Sequence, residues 1–135
     1  MSNNVYVIGA AMTAFGKHAD RGLKSLGAEA INGALKDAGL GPEALQAAYM
    51  GNAAGAVITG QVLIPGQVVL RGMGIGRIPV VNVENACATS ATAFQQAAEM
   101  VRLGAYDTVL AAGYEKLYHP DKTKTFSVFM GAVDV

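Results

Sequence analysis

Short apolar runs alternate with helix-period stretches along this chain, and that alternation most constrains its fold. Residues 5–8 (Val5, Tyr6, Val7, Ile8) form a first apolar run ending at Gly9, read as a buried strand. A polar, Gly-containing loop reaches Gly22. From Ser25 the period turns helical, with Leu26, Ala30, Gly33, Ala34 and Ala38 on one face and a stop at Gly39, Gly41 and Pro42. A helical turn over 43–48 precedes a short strand around Tyr49 and Met50. Residues 51–60 read as a connection, 66–71 as a second helix broken by the glycines at 72, 74 and 76, and 79–83 as a strand. A helix over 87–103 is closed by Gly104 in the left-handed capping position, and 108–112 is a further strand. After Glu115 the chain turns polar, then runs into a short apolar tail from Phe126. This order predicts an α/β fold, with a mostly parallel sheet covered by helices on both faces.

At 135 residues the chain is read as one domain, 1–135, with room for one modest core. Ten basic residues balance ten acidic ones, so charge points to neither a nucleic acid nor a membrane surface. No apolar stretch is long enough to cross a bilayer, and the first residues lack the basic flank of a signal peptide. The one cysteine cannot form an internal disulfide, which with the missing leader predicts a cytoplasmic location. That cysteine and the two histidines, His18 and His119, are too dispersed for a recognisable metal site, so no metal is expected. The chain stops at Val135 with no element ending there, which reads as a fragment or incomplete module.

The chemistry concentrates in Asn82-Val83-Glu84-Asn85-Ala86-Cys87-Ala88-Thr89-Ser90-Ala91. A strand leads through a polar turn straight into a helix whose first residues are small. This places the Cys87 sulfur at a helix N-terminus, where unpaired N–H groups and the positive helix end stabilise negative charge on sulfur. The same groups would hold an oxyanion formed at an attacked carbonyl. Ala86, Ala88 and Ala91 leave space around the thiol, while Phe94, Ala98 and Val101 are expected to continue a packed face below it. Cys87 has two readings: a small core residue or a nucleophile. The polar Asn-Glu-Asn approach and the small neighbours favour the second.

This run, with the continuation through Leu103-Gly104-Ala105-Tyr106-Asp107 to Gly113-Tyr114-Glu115-Lys116, resembles the nucleophile segment of thiolases. It is most similar to the sterol-carrier-protein/lipid-transfer-like branch, with its N-x-x-x-C-A-[ST] turn and Gly-x-Glu-Lys strand end. The resemblance extends upstream through residues 5–16 and 26–40. It implies the N-terminal half of a thiolase-like fold, a layered and incomplete αβα arrangement with a mostly parallel mixed sheet. It also implies an acyl-enzyme thioester on Cys87, formed from acyl-CoA and used in thiolytic cleavage or Claisen condensation. Coenzyme A would be substrate or product, with no tightly bound cofactor. Asn82 and Asn85 match the approach to the cysteine and are read as shaping the turn or a subunit contact. The family's second cysteine and histidine motifs have no counterpart here, and His119 is read as a surface residue. A complementary C-terminal half is therefore expected to complete the site. The resemblance further implies a homo-oligomer, or pairing with a small zinc-ribbon/OB partner.

Two alternatives stay open: an aldolase-like enzyme of lipid or sterol side chains on the same scaffold, and a non-catalytic assembly module with apolar surface and open sheet edges. The segment 72–76 lacks the strand–loop–helix order of a phosphate-binding loop and reads as a helix stop. Lys116, Lys122 and Lys124 surround Tyr118, His119 and Pro120. They read as a solvated loop in preference to a contact with coenzyme A phosphates, since Glu115 and Asp121 dilute the charge. Arg71 and Arg77 are ambiguous in the same way. Met50, Met73, Met100 and Met130 read as core filler.

Overall fold

A computed structural model describes residues 4–134. Residues 1–3, read above for a leader, and Val135, read as an abrupt stop, lie outside it. Three parallel strands, β1 (Ala47–Gly51), β2 (Val80–Val83) and β3 (Val109–Gly113), form a sheet of order β2-β1-β3. Tyr49 at its centre pairs in register with Val81 on one side and Ala111 on the other. Every residue of β1 is buried, the signature of a strand covered on both faces.

The two faces follow from strand alternation. Ala48, Met50 and Leu110 point into a core shared with α1 (Leu23–Ala38) and α3 (Pro65–Gly72), where Ile31, Leu35, Val69 and Leu70 meet them. Tyr49, Val83, Val109 and Ala111 point the other way, onto Ala93 and Ala97 of α4 (Thr89–Arg102). Two short helices, α2 (Gly55–Thr59) and α5 (Lys122–Met130), stand outside these layers. Gly104 takes the left-handed conformation expected for it, φ 72°, and closes α4 by donating to the Val101 carbonyl. Among the described residues no helix is long and apolar enough to cross a membrane.

Several expectations are corrected. Residues 5–8 are not a strand. Tyr6, Val7 and Ile8 are 74%, 66% and 58% exposed, and this segment lines a cleft of about 480 Å³ shared with Phe94 and β3. An apolar run becomes a strand only when its backbone finds a ladder. Here the next residues are committed to α1: Gly9 lies against Ala34 and Ala38, Ala11 against Gly33, and the Ala10 N–H donates to the Asp37 carboxylate at 2.9 Å. The small-residue stripe assigned to the core face of α1 is thus partly the seat of residues 9–11. The deeper face is Leu23, Leu26, Gly27, Ile31 and Leu35.

The face of α4 is likewise rotated. Thr89, Ala93 and Ala97 are its buried residues, whereas Phe94 is 52% exposed and lines the cleft with Ala98 and Val101. Residues 51–60 hold α2, and the supposed tail is α5, capped by the Asp121 side chain accepting from the Thr123 N–H at 2.9 Å. Met50 is core and Met73 and Met100 are partly so, but Met130 is exposed.

Candidate active site

In a parallel sheet all strands leave by the same edge, and the loops there are the usual place for a site. Here that edge gathers the exits of β1 at Gly51, β2 at Val83 and β3 at Gly113. The chain leaving β2 makes a 3-10 turn over Ala86–Ala88, enters α4 and crosses over β1 to reach β3. Two glycines let the start of α4 settle on the sheet. A Cβ on Gly51 would lie 2.9 Å from Thr89 Cγ2, and one on Gly113 would meet Ser90 Oγ.

Cys87 sits in that 3-10 turn and is exposed. The helix expected to begin at Cys87 begins at Thr89. The turn also uses N–H groups that the sequence left free. Ala86 N–H donates to Glu84 Oε1 at 2.6 Å, Ala88 N–H to the Asn85 carbonyl at 2.9 Å, and Thr89 N–H to the Ala86 carbonyl. Ala86 is held in the left-handed region at φ 44°, an uncommon state for a residue with a Cβ.

Asn85 ties the turn to α4, as the sequence suggested, whereas Asn82 does not bond the turn. Asn85 Nδ2 donates to Thr92 Oγ1 at 2.9 Å, and that hydroxyl donates to the Ala88 carbonyl at 3.0 Å. Asn82 reaches back to α3. Its Oδ1 accepts from the Gly66 N–H at 2.7 Å, and its Nδ2 donates to Gln67 Oε1 at 2.7 Å. A strand residue thereby satisfies one of the unpaired N–H groups at the start of α3.

The exit of β3 is built differently. The Glu115 carboxylate accepts from the N–H groups of Ala53 and Ala54, at 3.0 and 2.9 Å, and from Asn52 Nδ2 at 3.2 Å. Negative charge at the start of α2 suits the dipole of that turn. Asn52 Nδ2 also donates to the Tyr114 carbonyl at 2.6 Å. Lys116, grouped by sequence with a solvated loop, is buried. Its ammonium donates to the carbonyls of His18 and Arg21, the latter at 2.6 Å, tying the loop before α1 to β3. The only signal for these roles was the Gly-x-Glu-Lys pattern itself, because the loops these two side chains tie down lie more than 60 positions away.

Tyr114 is buried, and its hydroxyl has no hydrogen-bond partner. Burial, reinforced by the neighbouring Glu115 charge, raises its pKa well above the ordinary tyrosine value. Lys122 and Lys17 place their ammonium groups 4.6 and 5.9 Å from the centre of the Tyr118 ring. Half-buried His119 is taken up by its own turn. Its Nδ1 accepts from the Asp121 N–H at 3.0 Å, and its backbone N–H donates to Thr125 Oγ1 at 3.2 Å. Among the described residues no group of three or more His, Cys, Asp or Glu side chains converges on a metal-sized site.

A parallel three-layer α/β unit with a cysteine on the turn between a strand and the helix above the sheet defines a class of fold shared with thiolases. The chain belongs to that family: residues 5–133 match the thiolase N-terminal domain. Sterol carrier protein 2 from Gallus gallus is 34% identical over 94% of this chain and 23% of its own length. Benzoylsuccinyl-CoA thiolase subunit BbsB from Thauera aromatica is 31% identical over 99% of this chain and 34% of its own length. The solved structure of acetyl-CoA acetyltransferase from Syntrophomonas wolfei superposes with a TM-score of 0.67 at 25% identity, covering 78% of this chain and 27% of that one. The chain spans between about a quarter and a third of these proteins, so the fold is the N-terminal, incomplete part of theirs.

Proposed function

We propose that this chain carries the acyl-accepting nucleophile of a thiolase-type acyltransferase acting on acyl-CoA. The observation behind this reading is the exposed Cys87 on a hydrogen-bonded turn at the edge where all three parallel strands end. Similarity to acetyl-CoA acetyltransferases, such as that of Methanocaldococcus jannaschii at 35% identity over 84% of this chain, supports thioester chemistry. In the proposed step Cys87 Sγ bonds to the thioester carbonyl carbon as its proton passes to a base. The bond from that carbon to the sulfur of coenzyme A then breaks, leaving an acyl-cysteine and free coenzyme A. Thiolysis or condensation completes the cycle, with the base supplied by a complementary C-terminal half. His119 is not assigned that role, because its Nδ1 accepts from the Asp121 N–H within its own turn.

Incubation with acetyl-CoA in the presence of the complementary C-terminal half, followed by peptide mass mapping, tests the reading. The acyl group is expected on the Cys87 peptide and absent in Cys87→Ser. A protein that transfers acyl groups equally well as Cys87→Ser overturns it.

A second reading, an assembly surface, is favoured by exposed Phe126, Phe129 and Met130 on α5 and exposed Val62, Leu63 and Ile64 before α3. Sedimentation as a monomer at all concentrations would count against it.

A further inference from the structure

Among the described residues Thr89 is one of two buried polar ones, 5% exposed, in a turn whose other members are all exposed. Both ends of its side chain are used. The hydroxyl accepts from the Asn85 N–H at 2.8 Å and donates to the Ala86 carbonyl at 2.7 Å. Its methyl group faces the end of the central strand, where Gly51 leaves room for it. One side chain therefore closes the turn around Cys87 and anchors that turn to the best-buried strand of the sheet. The hydroxyl spans from the Glu84–Asn85 peptide to the Ala86–Cys87 peptide, bracketing the left-handed Ala86, the residue immediately before Cys87. If the Ala86 backbone relaxed toward the right-handed region, the Cα–Cβ direction of Cys87 would change with it.

We infer that Thr89 is a positioning residue for acyl transfer: its hydroxyl holds the Ala86 backbone in the conformation that aims Cys87 Sγ at the thioester carbonyl. This rests on the reading of Cys87 as acyl acceptor. The role belongs to the hydroxyl, and the packing role to the methyl, so two substitutions separate them. Thr89→Val keeps the shape and removes the hydroxyl; Thr89→Ser keeps the hydroxyl and removes the methyl.

With the complementary C-terminal half present, the experiment measures two quantities in wild type and both variants: the rate of acyl adduct formation on Cys87 from acetyl-CoA, and hydrogen exchange at the Asn85 amide. Thr89→Val is expected to slow acylation at least about 10-fold, since small misplacements of reacting atoms cost about that or more. It should also speed Asn85 exchange by about 10-fold as that amide loses its acceptor. Thr89→Ser should stay within about 3-fold of wild type in both, because its hydroxyl repeats the same bonds. Equal acylation rates in wild type and Thr89→Val would overturn the inference, as would equal losses in both variants, which indicate packing alone. Failure of the underlying reading shows elsewhere, in wild type itself, as adduct formation that does not involve Cys87. In that case unchanged Asn85 exchange in Thr89→Val would overturn the clamp as well.

Discussion

The exits of β2 and β3 lie on the same edge of one parallel sheet, yet they are built to opposite ends. After β2 the chain closes its own backbone over a few residues, with hydroxyls, amides and the Glu84 carboxylate, and leaves one sulfur in the open. After β3 it turns two charged side chains inward, Glu115 onto amides and Lys116 onto carbonyls, and presents no nucleophile. The first arrangement is local, spanning a few residues, and fixes the direction of one atom. The second is long-range and fixes the position of two loops. With Cys87 as the proposed nucleophile, chemistry and tertiary cohesion fall to the two strand ends that flank β1, and each should be removable without the other.

The largest separation is expected from Cys87→Ser. Acyl transfer should fall on the order of 10³-fold or more, while the melting temperature stays within a degree or two, because the side chain is exposed. Glu115→Ala should do the reverse. Uncovering the Ala53 and Ala54 amides and losing charge-assisted bonds is expected to cost about 2–3 kcal/mol in a denaturant titration. Alkylation of Cys87 at low temperature should proceed at the wild-type rate. Equal damage to both properties in either variant would break the comparison.

Gly51→Ala tests where the two halves meet. The new methyl group presses on Thr89 Cγ2, with an expected cost of about 1–2 kcal/mol and a measurable slowing of acylation.

The smallest effect is expected at Tyr114. Removing its unpartnered hydroxyl in Tyr114→Phe should stabilise the fold by up to about 1 kcal/mol near neutral pH. The pH dependence has a definite sign. The folded pKa is raised above the ordinary 10.0, so the stability that wild type draws from a protonated Tyr114 is fully present below pH 10. It is lost as the pH rises above that value, because the unfolded chain releases the proton first. Thermal unfolding between pH 9 and 11 should show the loss in wild type and a smaller slope in Tyr114→Phe.

The sequence made legible what depends on local pattern. Strands near 80–83 and 109–113, the helix between them and its Gly104 cap all follow from period and small-residue spacing. Which face of α4 turns inward was not legible, because Ala93 and Ala97 differ from Ala98 and Phe94 only in what they meet across the sheet. The run at 5–8 misled because strand propensity does not reveal whether a neighbouring edge is taken up. Lys116 misled for a related reason: a lysine next to a charged loop gives no local sign that its ammonium will meet two backbone carbonyls near residue 20. The helix start at Thr89 was missed by two residues, and that shift moves Cys87 from the helix into the turn before it.

The strand order has a kinetic consequence. Register between β1 and β3 joins Ala47 to Val109, and the Glu115 bonds to Ala53 and Ala54 bridge 62 and 61 positions. Closing loops of that length carries an entropic cost that bonds between Asn85 and Thr89 do not. The chain can therefore shape the loop around its thiol while the sheet is still open, and the charged pair after β3 is suited to be the late step that makes the assembled fold slow to come apart.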